Sequence, residues 1–156
     1  NSILVLPDGC EIHAVDISEA MLDTARKKTA AYKVRFFRSD ILEYFPIHPD
    51  HTYDVIISSY AIHHVPDDEK SHLFGCIRST LSPDGYAVFV DLMYFDEEQK
   101  NNLIEKYRTY RPDVVESINE EYFWDLSRTI RELNELGFTC LTKQFSELSW
   151  GIKANL

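Results

Sequence analysis

The sequence predicts an α/β fold built on a mostly parallel sheet with helices on both faces. Short apolar runs of strand length alternate along the chain with segments whose apolar residues recur every three or four positions. Strands that alternate with helices in this way are typical of a parallel sheet. The run at 53–58 has an unbroken apolar centre, as expected of a strand that is buried on both faces.

The first part of the chain holds three predicted strands and one helix. The strands are expected at 3–6, 12–15 and 34–37, because each is a short apolar run bounded by polar or turn residues. The helix is expected at 19–28, with Ser18 as its N-cap. Its last turn holds three cations, which favour the negative end of a helix dipole.

The second part of the chain supplies four more strands, for a total of seven. A helix at 67–81 is expected to end at the turn Ser82-Pro83-Asp84-Gly85. Residues 96–136 show no strand pattern and predict two or three helices, which stop at Gly137. The four strands are expected at 53–58, 86–92, 139–143 and 150–154.

Composition narrows the class of protein. A chain of 156 residues fits a single domain, residues 1–156, with the helical segment 94–136 as an insert before the last two strands. The net charge of -10 argues against a nucleic-acid partner, and no apolar run is long enough to cross a membrane. Three scattered cysteines favour a reducing compartment, so we expect a cytoplasmic protein.

Acidic or polar groups end three successive strands of the predicted sheet. Asp16 ends the second strand, Asp40 follows the third, and Ser58-Ser59-Tyr60 follows the fourth. Ligands bind outside the carboxyl ends of parallel strands, and an acid at the second strand can accept both hydrogen bonds of a ribose diol. Asp and Ser are also common in turns and at N-caps, so each residue alone has a structural interpretation too.

Five motifs, in this order, resemble those of the class I S-adenosylmethionine-dependent methyltransferases, in the branch that acts on small molecules. The resemblance covers roughly residues 3–93, and the strands at 139–154 fit the terminal hairpin of that family by position. The motifs are Ala14-Val15-Asp16-Ile17-Ser18 with Met21-Leu22, Arg38-Ser39-Asp40-Ile41, Tyr53-Asp54-Val55-Ile56-Ile57-Ser58, Ile62-His63-His64-Val65 and Leu81-Ser82-Pro83-Asp84-Gly85-Tyr86.

The resemblance implies a Rossmann-like, seven-stranded sheet whose last strand is antiparallel, with S-adenosylmethionine as cofactor. By the family pattern, Asp16 binds the ribose hydroxyls and Asp40 accepts from the adenine amino group. The remaining cofactor contacts implied are Ile17 and Met21 beside the adenosine, Ile41 over the adenine ring, and Ser58, Ser59 and Tyr60 beside the methionine portion. The reaction implied is direct in-line methyl transfer to a small-molecule acceptor, and a homodimer is left open.

Two histidines follow the fourth strand, near the expected point of methyl transfer. A neutral imidazole of His63 or His64 can take a proton from an attacking nucleophile. The alternative is that one ring packs in the core while the other is solvated. The spacing of the histidines does not predict a metal site, and His48 and His51 are expected in a solvated loop.

The helical insert is rich in aromatic residues. About half of them are expected in the core, because amphipathic helices bury aromatic side chains. The others are candidates for the wall of a substrate pocket, and Tyr94 and Tyr110 are the predicted substrate contacts. Arg111 is a candidate for binding an anionic group of the substrate.

The chain departs from the family pattern after its first strand. The family has a glycine-rich loop and a helix there, whereas Leu6 is followed at once by Pro7-Asp8-Gly9 and the second strand. Parallel strands need a crossover of about a dozen residues or more. Either the protein lacks this segment or the sequence omits roughly twenty residues between Leu6 and Pro7, and we favour the omission.

The sequence is also compatible with two rival functions. A chain without the glycine-rich loop would be a catalytically silent, methyltransferase-like interaction protein. An NAD(P)-dependent oxidoreductase shares the acid at the second strand. It is disfavoured because Asp40 and the 58–65 segment fit the methyltransferase order better.

Overall fold

The computed structural model describes residues 9–156, which divide into two compact units. Among the described residues, those up to His51 form the N-terminal unit, and Thr52–Leu156 form the C-terminal unit. The predicted strand at 3–6 and the junction of Leu6 with Pro7 lie outside the described residues.

The N-terminal unit contains two parallel strands and two helices. Strands β1 (Ile12–Asp16) and β2 (Val34–Arg38) pair in parallel, with Asp16 opposite Arg38. Helix α1 (Glu19–Lys28) connects them, as predicted, and Ser18 caps it by accepting a hydrogen bond from the Met21 amide. The structure adds helix α2 (Ile41–Ile47), which the sequence did not predict because it spans only seven residues and contains Pro46.

The C-terminal unit contains a five-stranded mixed sheet. Its strand order is β3-β4-β7-β6, and β5 pairs with the end of β4. Strands β3 and β5 run parallel to β4, whereas β7 is antiparallel to both β4 and β6. The strands are β3 (Tyr53–Ser59), β4 (Leu81–Tyr94), β5 (Trp124–Asp125), β6 (Thr139–Gln144) and β7 (Ser149–Asn155).

The predicted α/β class and the antiparallel last strand are confirmed. The expectation that residues 96–136 hold no strand is wrong, because Trp124 pairs with Met93 and Asp125 with Tyr94. A strand of two residues is too short to leave a periodic pattern. The described strands number seven only with β5 included, and three of their five pairings are parallel.

Strand β4 begins earlier than predicted. Helix α3 (Asp67–Thr80) ends one residue short of its predicted end, and Leu81 already pairs with Tyr53. The pairing then shifts, since Val55 lies opposite Tyr86. At Gly85 a β-carbon would lie 2.9 Å from the Ser82 carbonyl oxygen, so the close approach of the backbone there requires glycine.

Three helices fill the insert between β4 and β6. They are α4 (Glu97–Tyr107), α5 (Pro112–Glu120) and α6 (Leu126–Glu135). Helix α6 ends at Glu135, two residues before Gly137, the predicted stop. At Gly137 φ is +92°, and the Phe138 amide donates back to the Leu133 carbonyl. The α4 and α5 helices share a small apolar cluster with the end of β4, formed by Tyr94, Leu103, Ile118 and Phe123.

Among residues 9–156, no helix has both the length and the apolar composition needed to span a bilayer.

Candidate cofactor and active site

In the N-terminal unit, Asp16 and Asp40 lie at the same edge of the two parallel strands. Asp16 is the last residue of β1, and Asp40 follows β2 by two positions. The Ser39 amide donates to the Asp16 carbonyl at 3.2 Å, which joins the two strand ends. The structure therefore brings these two predicted cofactor residues together.

Each of these acids uses one carboxylate oxygen to fix the local backbone. Asp16 Oδ1 accepts from the Ser18 amide at 2.8 Å, and Asp40 Oδ1 accepts from the Leu42 amide at 2.9 Å as the N-cap of α2. In the described part of the chain, the Oδ2 atoms of Asp16 and Asp40 have no hydrogen-bond partner. Both carboxylates are half-buried and keep an oxygen for a ligand.

Apolar side chains next to Asp16 are exposed. Ile17 is 66% exposed and Met21 is 59% exposed, on the turn that leads into α1 and on its first turn. Ile41 is half-buried at the start of α2. An uncovered apolar surface beside a carboxylate suits a ligand that has both a flat apolar face and hydroxyl donors.

In the C-terminal unit, the residues at the end of β3 adopt an unusual backbone conformation. Tyr60 has a φ of +51°, which non-glycine residues seldom adopt, and its side chain is half exposed. Its amide donates to the Val90 carbonyl at 2.9 Å, and its hydroxyl lies 2.7 Å from Ser149 Oγ. Ser58 is buried, and its Oγ has no hydrogen-bond partner among the described residues, whereas Ser59 is exposed.

The two histidines that follow have different environments. His63 is buried, and its Nδ1 lies 2.6 Å from Asp91 Oδ1 while its Nε2 lies 3.6 Å from Glu121 Oε2. His64 is exposed, and the centroids of the two imidazole rings are 4.0 Å apart. Of the two candidate bases, only His64 presents its ring to solvent.

Sequence reasoning missed Asp91, the partner of His63. This residue lies on β4, is 1% exposed, and accepts hydrogen bonds from the Ile62 and Leu92 amides at 2.9 and 2.8 Å. The sequence did contain a sign of this buried acid, because Asp91 interrupts the otherwise apolar run 86–92. A buried acid in a strand needs a partner, but the sequence does not say which one.

Tyr122, in the helical insert 94–136, contacts the backbone of His63. The Tyr122 amide donates to the His63 carbonyl at 2.9 Å, and Lys70 Nζ donates to the Tyr122 carbonyl at 2.5 Å. Lys70 is buried on α3 and also pairs with Asp67 at 2.6 Å. Burial lowers the pKa of this amine, and the Asp67 carboxylate partly opposes that effect.

The predicted substrate residues lie in different places. Tyr94 is buried, lines a small pocket with Lys70 and Trp124, and donates its hydroxyl to Glu97 Oε1 at 3.2 Å. Burial and the neighbouring Glu97 raise the pKa of this phenol. Tyr110 is exposed, and its role in binding a substrate stays a prediction.

Arg111 is paired within its own segment. Its guanidinium contacts Asp113 through Nε and Nη2, at 2.9 and 2.7 Å, at the start of α5. The pair is exposed, so the guanidinium also meets solvent. The proposed role of Arg111 in binding an anionic substrate stays a prediction.

His48 and His51 lie outside helices and strands, as expected, but the expectation that they have no clustered partner is wrong. Their rings stack 4.8 Å apart at an angle of 8°, and the His51 ring lies 4.9 Å from that of His13. Phe37 and Tyr44 complete this cluster, with Tyr44 Oη 2.9 Å from His13 Nδ1. Within residues 9–156, no three His, Cys, Asp or Glu side chains form a group able to hold a metal ion.

Comparison with known proteins decides the family. The family model described as "Methyltransferase domain" matches residues 2–85, more than half of the chain. The chain belongs to this family. The resemblance to the class I S-adenosylmethionine-dependent methyltransferases is thereby confirmed, and S-adenosylmethionine is the cofactor of that class.

Relatives and solved structures agree with this methyltransferase assignment. The chain is 29% identical over 152 residues to an uncharacterized methyltransferase of Staphylococcus carnosus, covering 96% of this chain and 70% of that protein. An O-methyltransferase family protein from Burkholderia thailandensis has a TM-score of 0.70 at 14% identity, over 93% of this chain and 42% of that one. The DhpI-SAM-HEP complex has a TM-score of 0.68 at 22% identity, over 92% of this chain and 67% of that one.

These likenesses establish the methyltransferase fold. The chain spans less than half of the Burkholderia protein and about two thirds of the other two.

Proposed function

We propose that this methyltransferase chain binds S-adenosylmethionine and transfers its methyl group to a small-molecule acceptor by in-line displacement. The observation that carries the proposal is the pair of strand-end acids, Asp16 and Asp40, each with a carboxylate oxygen left over from its backbone contact. Exposed Ile17 and Met21 supply an apolar surface beside them. These acceptors and apolar groups fit an adenosine, whose ribose hydroxyls and amino group are the donors.

Each cofactor residue has a separate task in the proposal. Asp16 accepts from the ribose hydroxyls, and Asp40 accepts from the adenine amino group while Ile41 covers the ring. Ser58, whose buried hydroxyl has no partner among the described residues, offers a hydrogen bond to the methionine portion, together with Ser59 and Tyr60. An unpaired buried hydroxyl is unfavourable, which supports a ligand contact at this position.

The catalytic contribution of the chain is mainly alignment. When bound, S-adenosylmethionine supplies an electrophilic methyl group that moves to a nucleophilic atom of the acceptor. Holding the two reactants in line removes much of the entropic barrier to such a transfer. Among the two candidate bases, we assign proton acceptance to His64, because its ring is exposed, and a positioning role to His63, whose Nδ1 contacts Asp91.

Tyr94, Tyr110 and Arg111 remain the proposed acceptor-side residues. Tyr94 presents its ring to a pocket that also contains Asp67, Lys70 and Glu97. A pocket with this mixture of charges suits a small polar acceptor better than an apolar one. We also propose that the protein acts in the cytoplasm.

A panel of ligands tests this function against its rivals. We expect S-adenosylhomocysteine and S-adenosylmethionine to raise the thermal unfolding midpoint, and NAD⁺ and NADP⁺ to leave it unchanged. A ligand whose free concentration is 100 times its Kd adds about 2.7 kcal/mol to the free energy of unfolding. A shift with the nicotinamide cofactors alone would favour an oxidoreductase, and no shift with any ligand would favour the silent interaction protein suggested by the missing glycine-rich loop.

A further inference from the structure

Asp91 is the most deeply buried acid of the C-terminal unit that the proposed chemistry does not use. Its side chain is 1% exposed and accepts three hydrogen bonds. Oδ2 accepts from the Ile62 amide, and Oδ1 faces both the Leu92 amide and His63 Nδ1. A carboxylate so far from water is retained only where its partners compensate for the loss of hydration.

Two of the three partners of Asp91, the Ile62 amide and the His63 ring, lie in one short stretch, Tyr60–His64, which we call the post-β3 segment. This segment joins β3 to the turn before α3 and contains both candidate bases. Apart from Asp91, it is tied to the sheet by the Tyr60 amide on the Val90 carbonyl and by the Tyr60 hydroxyl on Ser149. Two neighbouring residues of β4 therefore fix the start of the post-β3 segment: Val90 binds the Tyr60 amide, and Asp91 binds the Ile62 amide.

We propose that Asp91 is a positioning residue, which fixes the post-β3 segment through the Ile62 amide and the His63 ring and so sets the orientation of Tyr60 and His64. The proposal rests on the proposed function, since that function gives Tyr60 and His64 their roles. Tyr60 has a left-handed backbone conformation that is unfavourable for a residue with a β-carbon. Such a conformation persists only where surrounding contacts enforce it.

His63 links Asp91 to His64, because its ring contacts both side chains. We assign a proton to His63 Nδ1, which donates it to Asp91 Oδ1, because both carboxylate oxygens act as acceptors: Oδ1 also accepts from the Leu92 amide, and Oδ2 accepts from the Ile62 amide. The other side of the ring faces Glu121, and the His63 carbonyl accepts from Tyr122. With His63 fixed on three sides, the His64 ring packs against it at 4.0 Å between centroids.

Asp91→Asn is the most direct variant for the test. It keeps the size of the side chain, but either orientation of its amide turns an NH₂ group toward at least one of the three donors. The amides of the post-β3 segment should then exchange with solvent at least tenfold faster than in wild type, while amides on α3 and β7 keep their rates. The Kd for S-adenosylhomocysteine should rise about tenfold, because Tyr60 no longer lies in one orientation.

Ile77→Val is the matched control, since it removes one methylene from a buried position of α3 away from this segment. It should lower the unfolding midpoint without changing the Kd or the local exchange of the post-β3 segment. If Asp91→Asn raises exchange uniformly over the unit, or leaves the segment as protected as in wild type, Asp91 has only a stabilising role and the proposal is wrong. If wild type does not bind S-adenosylhomocysteine, the proposed function fails, and the exchange measurement still decides whether Asp91 fixes the segment.

Discussion

Asp40 caps helix α2 and is also the proposed acceptor for the adenine amino group. Asp16 likewise holds the Ser18 amide and is the proposed acceptor for the ribose. The two interpretations of each residue are compatible, because a carboxylate has two oxygens and several lone pairs. The backbone contact fixes one oxygen and so orients the other, which leaves a capping residue able to accept a hydrogen bond from a ligand.

Two substitutions at Asp40 separate these roles. Asp40→Ala should lower the free energy of unfolding by about 0.5–2 kcal/mol through loss of the N-cap. It should also raise the Kd for S-adenosylhomocysteine about tenfold through loss of one hydrogen bond to the ligand. Asp40→Ser should restore the cap and the stability but not the affinity, as measured by urea unfolding and calorimetry. Recovery of full affinity in the serine variant would show that the carboxylate does not bind the adenine.

Among the elements, α2 and the residues that follow it depart most from expectation. The helix contains a proline and is too short to show a periodic pattern, and His48 and His51 after it pack with His13 on β1. Burial lowers the pKa of His13, and the neighbouring His51, Arg35 and His48 lower it further, while Glu11 opposes them. Near pH 6.5, where the unfolded chain takes up a proton, His13 in the folded N-terminal unit therefore holds its proton less readily.

This difference makes the stability of the N-terminal unit depend on pH. The contribution of neutral His13 is present above about pH 6.5 and is lost as the pH falls, because the unfolded state then binds more protons than the folded state. Amide exchange in β1 and β2, corrected for intrinsic rates, should show a smaller free energy of opening at pH 5.5 than at pH 7.5. His13→Phe keeps an aromatic ring beside Phe37 and His51 and should reduce that difference. An equal pH dependence in the variant would assign the effect to other groups.

At the scale of the whole molecule, patterns local in sequence predicted most of the fold and part of the site. Apolar runs and helical spacing located β1, β2, β3, α1 and α3 to within a residue or two. Asp16 and Asp40 lie at the strand ends where the sequence predicted them, and their binding of a cofactor stays a prediction. The contacts that sequence could not reveal join distant residues. Asp91 meets His63 across 28 positions, and Lys70 meets the Tyr122 carbonyl across 52.

The central claim is that the chain binds S-adenosylmethionine through Asp16, and calorimetric titration with S-adenosylhomocysteine tests it most directly. Wild type should bind one ligand per chain, and Asp16→Ala should weaken binding about 10- to 100-fold, as expected for a charge-assisted hydrogen bond. Asp23→Ala is the matched control, because Asp23 is an exposed acid of α1 paired only with Arg26 among the described residues. It should change the Kd by no more than about twofold, since exposed ion pairs contribute little. Absence of binding in wild type, or equal affinity in Asp16→Ala and wild type, would contradict the claim.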